Sequence, residues 1–415
     1  MRVCFVNNLY GERSKGGAEK VVAEEANRLS ALGHEVAVIS VGDDQPERGA
    51  ACSPDERCSD AGEIREYGIS PRNLYVYGDG RRHSRAAKFL WHLIDAFGAD
   101  GPRQVIKIID EINPDVVHTH NLMGIGFRLP RLLGKRGLRH VHTVHDVQLV
   151  NPSGLMRAWG SGSLLVFFEK WHGRLMARLF GSPDSVVFPS EFMERFHARF
   201  GFFAGATVSI LRNPAPAAIG EPRSFSESSD TKFLFVGQLE EHKGLKTLIE
   251  AWLSADIKHA TLEIVGRGSL DEFVAQAASE NSTIVQRGRL EGAALGEAYR
   301  QADFCVVPSL VIENAPTVIS ESFAAGTPVV ALASGGIPEL VRDGETGFLV
   351  SFDQPESLSA GSRESVQANL ATALRDAATE RSDVWLLMSE NCRRVAAQQT
   401  GESHVESLLQ VYAAE

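Results

Sequence analysis

The sequence predicts an α/β protein with two doubly wound parallel sheets. Over residues 1–212, short apolar runs rich in β-branched residues alternate with amphipathic helical stretches, and the same alternation restarts at residue 231. Such alternation is typical of parallel sheets covered by helices on both faces. Residues 213–230 contain three prolines and four serines. We therefore expect domains at 1–212 and 231–398, a linker at 213–230 and a final helix within 399–415.

Composition limits the class of protein. A chain of 415 residues is long for one hydrophobic core, and 43% hydrophobic with 23% charged residues is ordinary for a soluble protein. The net charge of -11 argues against a general nucleic-acid binder. Five cysteines without metal-ligand spacing fit a reducing compartment. The chain enters a strand at Arg2 without a secretory signal. We expect a cytoplasmic protein and leave peripheral contact with the inner face of a membrane open.

The first elements form a βαβ unit. A strand at Arg2–Asn7 is followed by a glycine-containing loop, a helix at Ala18–Leu32 and a strand at Glu35–Ser40. Such a loop can place N–H groups, here those of Gly16 and Gly17, against a phosphate. A simple turn is the alternative.

The next stretch is less regular. Asp43–Gly68 is polar and is expected to be a loop, and Asn73–Tyr77 a short strand. Arg81–Arg85 is a basic cluster that opens a helix running to Glu111. The cluster is either a solvated face or a site for an anionic head group. Ser163–Phe180 is an amphipathic helix whose apolar side, with Trp171, belongs to the core or to a membrane anchor.

Further strands complete both sheets. In the first half they are expected at Val116–His120, His140–His145, Asp184–Pro189 and Thr207–Leu211. In the second half they are expected at Lys232–Val236, Thr261–Val265, Ser282–Gln286, Asp303–Val307 and Thr327–Leu332. Helices are expected at Lys246–Ser254, from Leu270 and at Glu402–Ala413.

The stretch Ser309–Glu321 carries the strongest functional signal. It follows a buried strand and leads into a helix that Pro316 opens and Gly326 ends. The loop before that helix, with Glu313, exposes unpaired N–H groups that favour an anion. Glu321 lies about five residues into the helix, roughly 7 Å from its start.

These two carboxylates suit a sugar nucleotide. With a phosphate at the helix N-terminus, Glu321 would lie near the ribose and accept from its hydroxyls. Glu313, on the loop side, would reach a sugar beyond the phosphates. Two surface glutamates beside a buried helix are the alternative.

The motif resembles the donor motif of retaining glycosyltransferases of family 4. In this chain, seven residues separate Glu313 and Glu321, and Phe323-Ala-Ala-Gly-Thr-Pro-Val-Val330 follows them. Gly335–Glu339, Asp343–Leu349 and Gly16–Glu19 are similar to further segments of that family in the same order.

The resemblance implies a GT-B fold, with two Rossmann-like domains facing one another across a cleft. The first domain would take a glycan or lipid-linked acceptor, the second a UDP- or GDP-sugar donor, and the last helix would cross back to the first domain. No metal or cofactor is expected. The donor contacts implied around the helix N-terminus include those of Asn314, Ala315, Pro316 and Thr317.

The resemblance implies further donor contacts in the loop Gly237–Gly244. In the family this loop bears an arginine and a lysine that hold the diphosphate, and Lys243 matches the lysine. Gln238 stands in place of the arginine. Arg267, in a turn that Gly266 opens, supplies the missing charge or faces water. Leu290 matches a segment that holds the base.

Histidines end two strands of the first half. His145 resembles the family histidine placed near the anomeric carbon and acceptor, although a structural histidine is the alternative. His118 and His120 share one face of a strand end, without a third ligand at metal spacing.

The sequence therefore predicts a retaining hexosyltransferase, with His145 and Glu313 as catalytic residues, that acts in glycan, polysaccharide or glycolipid synthesis. A sugar-nucleotide epimerase on the same fold is one alternative. A non-catalytic sugar-nucleotide-binding protein is another, because Gln238 replaces the expected arginine.

Overall fold

The computed structural model describes residues 1–14, 16–42, 64–75, 83–151, 163–221, 230–351, 360–380 and 382–414. The chain divides into two compact units. The first comprises Met1–Leu155, Phe167–Arg212 and Gly401–Glu415, and the second comprises Met156–Val166 and Asn213–Thr400. Each unit contains one parallel sheet, so the predicted fold class is confirmed.

The first unit is built on a seven-stranded sheet in the order β3-β2-β1-β4-β5-β6-β7. All neighbouring strands run parallel. The strands are β1 Arg2–Val6, β2 Glu35–Val41, β3 Arg65–Ile69, β4 Val116–Thr119, β5 Arg139–Thr143, β6 Ser185–Phe188 and β7 Thr207–Ile210. The helices are α1 Gly17–Ala31, α2 Arg85–Phe97, α3 Asp100–Ile112, α4 Leu129–Gly134, α5 Ser163–Phe180 and α6 Glu191–Ala198, together with the last helix, Gly401–Ala413.

The last helix is part of the first unit's core. Its Val405, Leu408 and Tyr412 are buried in one cluster with Val3 of β1 and Val22 of α1. Apolar residues recur at helical spacing on both helices, so each has one stripe to bury. The helix at the end of the chain therefore covers the same sheet as the helix near its beginning.

Two expectations for the stretch between β2 and α2 were wrong. Asp43–Gly68 was expected to be a loop, but Arg65–Ile69 pairs with β2 as β3, and residues 43–63 lie outside the described part. β3 is the sheet's edge strand and is half exposed, which explains its polar sequence. The expected strand Asn73–Tyr77 is a bend over residues 73–75, and residues 76 and 77 are not described.

The expected helix from Arg81 to Glu111 is two helices. α2 ends at Phe97 and is capped by Gly98, whose N–H donates to the carbonyl of Ile94, and α3 begins at Asp100. A Cβ at Gly98 would lie 2.4 Å from the Ile94 carbonyl oxygen, so only glycine fits this break. Residues 81 and 82 of the basic cluster lie outside the described residues.

Helix α5 has the predicted bounds, Ser163–Phe180. Its Phe180 is fully buried, whereas Trp171 is 58% exposed. The core alternative therefore holds for Phe180 but not for Trp171. Among the described residues, no helix is both long enough and apolar enough to cross a membrane.

The second unit contains a six-stranded parallel sheet in the order β10-β9-β8-β11-β12-β13. The strands are β8 Thr231–Val236, β9 Ala260–Val265, β10 Ile284–Gly288, β11 Phe304–Val307, β12 Val329–Leu332 and β13 Gly347–Val350. The helices are α7 Leu245–Ala255, α8 Asp271–Glu280, α9 Gly292–Gln301, α10 Thr317–Ala324, α11 Ile337–Leu340, α12 Ala360–Ala378 and α13 Ser382–Gln398. Two apolar clusters, one on each face of this sheet, form its core.

A glycine starts β13 where two strands approach closely. Gly347 has φ 148°, and a Cβ there would lie 1.9 Å from the carbonyl oxygen of Val329 on β12. Gly344, three residues earlier, also has positive φ (73°), but no described atom lies within 4 Å of its would-be Cβ. Both glycines therefore have a positive φ, but only at Gly347 would a Cβ also collide with a neighbouring strand.

We predict that Gly347→Ala lowers the melting temperature far more than Gly344→Ala. Both changes place an alanine at a positive φ, which lowers the free energy of unfolding by about 1–2 kcal/mol. Only Gly347→Ala adds a backbone collision, and overpacking costs about 1–3 kcal/mol more. Thermal unfolding of the two variants beside the unmodified protein tests this, and equal shifts would contradict the close approach of β12 and β13.

Candidate functional site

The residues that are expected to bind the sugar donor follow strands of the second sheet, at its carboxyl edge. The chain passes from β8 outward to β9 and β10, then crosses back to β11 on the other side of β8. Ligands of such sheets bind at this switch point, beyond the carboxyl ends of the strands. The loops that follow β8 and β11 carry Lys243 and Glu313.

The structure brings Lys243 and Glu313 into direct contact. Lys243 Nζ lies 2.6 Å from Glu313 Oε1, and Ser309 Oγ donates to the same oxygen at 2.7 Å. The two charged side chains are 29% and 14% exposed. A lysine ammonium has three donors, and this contact uses one of them. The pair therefore places a cation and a carboxylate side by side at the switch point.

A close backbone contact fixes the Glu313 loop. The N–H of Gly336 donates to the Glu313 carbonyl at 2.8 Å. Gly335 has φ 60°, and a Cβ there would lie 2.1 Å from the same carbonyl oxygen. The glycines of the Gly335–Glu339 segment thus hold the Glu313 loop in place.

The loop after Glu313 leads into α10 as expected. Pro316 is the N-cap residue and makes no side-chain capping bond. Asn213 Nδ2 donates to the Ala315 carbonyl at 3.1 Å. Asn314 is buried, and Ala315, Pro316 and Thr317 are half-buried. Asn213 therefore holds the loop before α10, and the N-cap side chain makes no hydrogen bond to the helix.

Glu321 is oriented by a tyrosine. Tyr299 on α9 donates from its hydroxyl to Glu321 Oε2 at 2.8 Å, and Tyr299 is 1% exposed. Burial and the nearby Glu321 charge raise the pKa of Tyr299 well above its usual value. The phenol therefore stays protonated and remains a donor to the carboxylate.

Backbone contacts join the loops after β8 and β9. A Cβ at Gly266, φ 149°, would lie 1.9 Å from the Gly237 carbonyl oxygen, and the Leu239 N–H donates to the Arg267 carbonyl at 3.0 Å. Gln238 and Arg267 are both exposed. The loops that carry these two residues are therefore neighbours.

Leu290 follows β10 on the same edge. It is half-buried and packs against the apolar cluster on one face of the sheet. The Gly266 N–H donates to the Gly288 carbonyl at 2.8 Å, which links the loops after β9 and β10.

In the first unit, a glutamate occupies the glycine loop. Gly16 is exposed, and its N–H donates to Glu19 Oε2 at 2.8 Å. Gly17 is the first residue of α1. An anion at this helix N-terminus would compete with the Glu19 carboxylate for the Gly16 N–H.

His145 follows β5 at the carboxyl edge of the first sheet. Its Nε2 lies 2.9 Å from His120 Nδ1, and the two rings are within 16° of parallel. Desolvation lowers the pKa of His145 to about 3, so the imidazole is neutral at pH 7. It can therefore exchange hydrogen bonds with a substrate but brings no positive charge.

Two further histidines lie beneath His145 with a carboxylate that the sequence analysis missed. Glu25 Oε2 lies 3.6 Å from His120 Nε2 and 3.8 Å from His118 Nδ1, and all three side chains are buried. These atoms lie within 4.8 Å of one another, so the structure adds the third group that the sequence did not reveal. His118 already contacts Tyr412 Oη at 2.8 Å through Nδ1 and Thr143 Oγ1 at 2.7 Å through Nε2.

Sequence reasoning overlooked Glu25, Tyr299 and His404, which contacts Glu25. One signal was readable, because Glu25 interrupts the apolar stripe of α1 between Val22 and Leu29. A carboxylate among core positions needs a buried partner. His404 lies 379 positions away and had no local signal.

Family models match both halves of the chain. A model described as Glycosyltransferase Family 4 matches residues 15–216, and one described as Glycosyl transferases group 1 matches residues 230–367. The phosphatidyl-myo-inositol mannosyltransferase of Mycolicibacterium smegmatis is 26% identical over 362 residues, which cover 83% of this chain and 80% of the mannosyltransferase.

Solved structures share the fold. The sucrose-phosphate synthase of Thermosynechococcus elongatus superposes with a TM-score of 0.70 at 19% identity, over 99% of this chain and 98% of the synthase. The Anabaena protein HepE in complex with UDP-glucose gives a TM-score of 0.63 at 16% identity, over 100% of this chain and 99% of HepE. With both halves matched by glycosyltransferase models, the chain belongs to the family 4 glycosyltransferases, and its fold is GT-B.

Proposed function

We propose that this glycosyltransferase is a retaining hexosyltransferase that uses a nucleoside-diphosphate sugar. The observation that carries the proposal is the contact between Lys243 and Glu313 at the switch point of the second sheet. A cation beside a helix N-terminus suits a diphosphate. A carboxylate next to that cation suits the hydroxyls of the attached sugar.

Each donor group has a distinct part in this proposal. The diphosphate lies between the Lys243 ammonium and the first turn of α10, where it shares the ammonium with Glu313. The ribose hydroxyls donate to Glu321, which Tyr299 already orients. The UDP-glucose complex of HepE supports a donor of this class. Neither metal nor cofactor is part of the proposal.

Catalysis then depends on position and electrostatics. As the sugar–phosphate bond breaks, negative charge grows on the leaving diphosphate, and preorganised N–H groups and a cation stabilise it. The acceptor hydroxyl enters on the face that the leaving group vacates, so the anomeric configuration is retained. His145, neutral at pH 7, exchanges hydrogen bonds with the reacting sugars.

We place the acceptor with the first unit. A glycan or lipid-linked hydroxyl compound is the proposed class, and the similarity to a phosphatidyl-myo-inositol mannosyltransferase supports it. The reaction would take place in the cytoplasm, with peripheral contact at the membrane if the acceptor is a lipid.

A two-step experiment tests the proposal. UDP- and GDP-sugars are first screened by thermal shift, since a ligand at ~100 Kd adds ~2.7 kcal/mol of stability. Donors that bind are then incubated with acceptor mixtures, and NMR determines the anomeric configuration of donor and product. Retained configuration supports the proposal, and inversion contradicts it. An epimerised free donor without transfer would indicate an epimerase, and binding without transfer or hydrolysis would indicate a non-catalytic protein.

We predict opposite effects for the two carboxylates. Glu313→Gln should reduce turnover at least tenfold without weakening the bare nucleoside diphosphate, because it removes a sugar contact and leaves Lys243 without a competing carboxylate. Glu321→Ala should weaken the nucleoside diphosphate itself, because the ribose hydroxyls lose their acceptor. Calorimetry and initial rates measure the two quantities. Equal losses of both in both variants would show that the roles are misassigned.

His145→Gln should reduce transfer at least tenfold and leave the melting temperature nearly unchanged. The glutamine amide still donates to His120 Nδ1, so the buried hydrogen bond survives while the imidazole is lost. His145→Ala is the matched comparison, because it removes both. Normal specific activity in the glutamine variant would exclude a catalytic role for His145.

Gln238→Arg should strengthen nucleoside diphosphate binding by roughly 1.4 kcal/mol, about tenfold. A charged hydrogen bond contributes about 1.5–3 kcal/mol against about 0.5–1.5 for a neutral one. The gain should shrink as salt rises, because the residue is exposed. Gln276→Arg, at an exposed position on α8, controls for the added charge.

Variants of Arg267 are needed to interpret the affinity of Gln238→Arg for the nucleoside diphosphate. If Arg267 already serves the diphosphate, Arg267→Ala alone weakens binding and Gln238→Arg restores affinity in the double variant. If neither single change moves the affinity beyond twofold, the diphosphate does not lie at this loop.

A further inference from the structure

Beneath His145 lies a buried chain of polar side chains from three separate parts of the sequence. We propose that Glu25 is a positioning residue for His145. Acting through His120, its carboxylate holds the His145 imidazole in the tautomer that is protonated on Nε2, and His404 holds the carboxylate. The inference rests on the proposed function only in that His145 takes part in transfer.

The hydrogen-bond partners of His404 determine where its protons lie. Its Nδ1 lies 2.9 Å from the carbonyl oxygen of Arg212, which can only accept, so Nδ1 carries a proton. Its Nε2 lies 2.8 Å from Glu25 Oε1. A lone pair there would face an ionised carboxylate, so one more proton lies between the two atoms. The Glu25–His404 pair therefore holds this proton in either of two forms, as imidazolium with carboxylate or as imidazole with carboxylic acid.

In both forms, the other oxygen of Glu25 is an acceptor. Glu25 Oε2 and His120 Nε2 are 3.6 Å apart, and both atoms are buried without a hydrogen-bond partner among the described residues. Buried polar atoms are costly when unpaired. If His120 Nε2 carries a proton, that N–H points at Glu25 Oε2, and a small approach of the two side chains would give both atoms a hydrogen bond. A lone pair on Nε2 would instead be repelled by the lone pairs of Oε2.

The tautomer of His120 then sets that of His145. With Nε2 protonated and its pKa lowered well below the usual value by burial, His120 is neutral and its Nδ1 is an acceptor. His145 Nε2, at 2.9 Å, must donate to it. The lone pair of His145 is thereby assigned to Nδ1, so this ring nitrogen is a hydrogen-bond acceptor and not a donor.

A metal ion is the competing explanation for Glu25, His118 and His120. Ligation through His118 Nδ1 would break the 2.8 Å contact with the Tyr412 hydroxyl and disturb a side chain whose Nε2 also contacts Thr143. The proton chain needs neither change. The geometry therefore favours shared protons over an ion.

The experiment uses the full chain labelled with ¹⁵N-histidine. Ring nitrogen shifts distinguish the two neutral tautomers, and the His145→Gln variant assigns the His145 signals. Unmodified protein is expected to show His145 protonated on Nε2. A proton on Nδ1 overturns the proposal without any variant of Glu25.

Two substitutions of similar length separate positioning from packing. Glu25→Gln keeps a donor for His404 Nε2 and an acceptor for His120 Nε2, so the His145 tautomer and the transfer rate should stay within about threefold of normal. Glu25→Met removes the acceptor, so both tautomers should appear, and the transfer rate should fall about tenfold at an unchanged KM for the donor.

The outcomes are distinguishable. Unchanged His145 signals and rate in a folded Glu25→Met protein overturn the proposal, and so does one equivalent of a bound transition metal in the purified protein. Mixed tautomers at a normal rate support the tautomer assignment and overturn the role of His145 in transfer. If no donor yields a product, the NMR result still tests the tautomer assignment, while the proposed function fails separately.

Discussion

Every candidate site in this protein depends on the parallel direction of its strands. When all strands of a sheet run the same way, every loop that follows a strand emerges at the same edge. In the second unit this gathers segments that are up to about a hundred residues apart in sequence. Glycines allow these loops to lie close together, because at Gly266 and Gly335 a side chain would collide with the backbone of the neighbouring loop.

The contact between Lys243 and Glu313 explains how the proposed diphosphate site can exist in the absence of its ligand. A half-buried ammonium without a counter-ion would cost free energy, and the carboxylate supplies that counter-ion. The net stabilisation from such a pair is small, because desolvation offsets attraction. Lys243 can therefore exchange its contact with Glu313 for one with a doubly negative ligand with little loss of free energy.

Local pattern was enough to predict most strands of both sheets, helix α10 and the position of Glu313 in the loop before that helix, because each depends on residues close in sequence. It failed where the sheet edge weakens the pattern, as at β3, and where one glycine, Gly98, divides a helix. Local pattern also could not predict which side chains contact the site residues. Tyr299 reaches Glu321, and His404 reaches Glu25, only because the sheets and helices fold back, and no spacing rule links such distant positions.

The last helix also makes the first unit discontinuous, with consequences for synthesis. Glu25 emerges from the ribosome well before its partner His404, which follows 379 residues later, and before the apolar stripe that ends at Tyr412. At ~5–20 residues per second, the rest of the chain takes tens of seconds to follow. The stretch Asn213–Thr400, which forms most of the second unit, is complete before the first unit can bury its carboxylate. The half that is translated first is therefore the half that matures last.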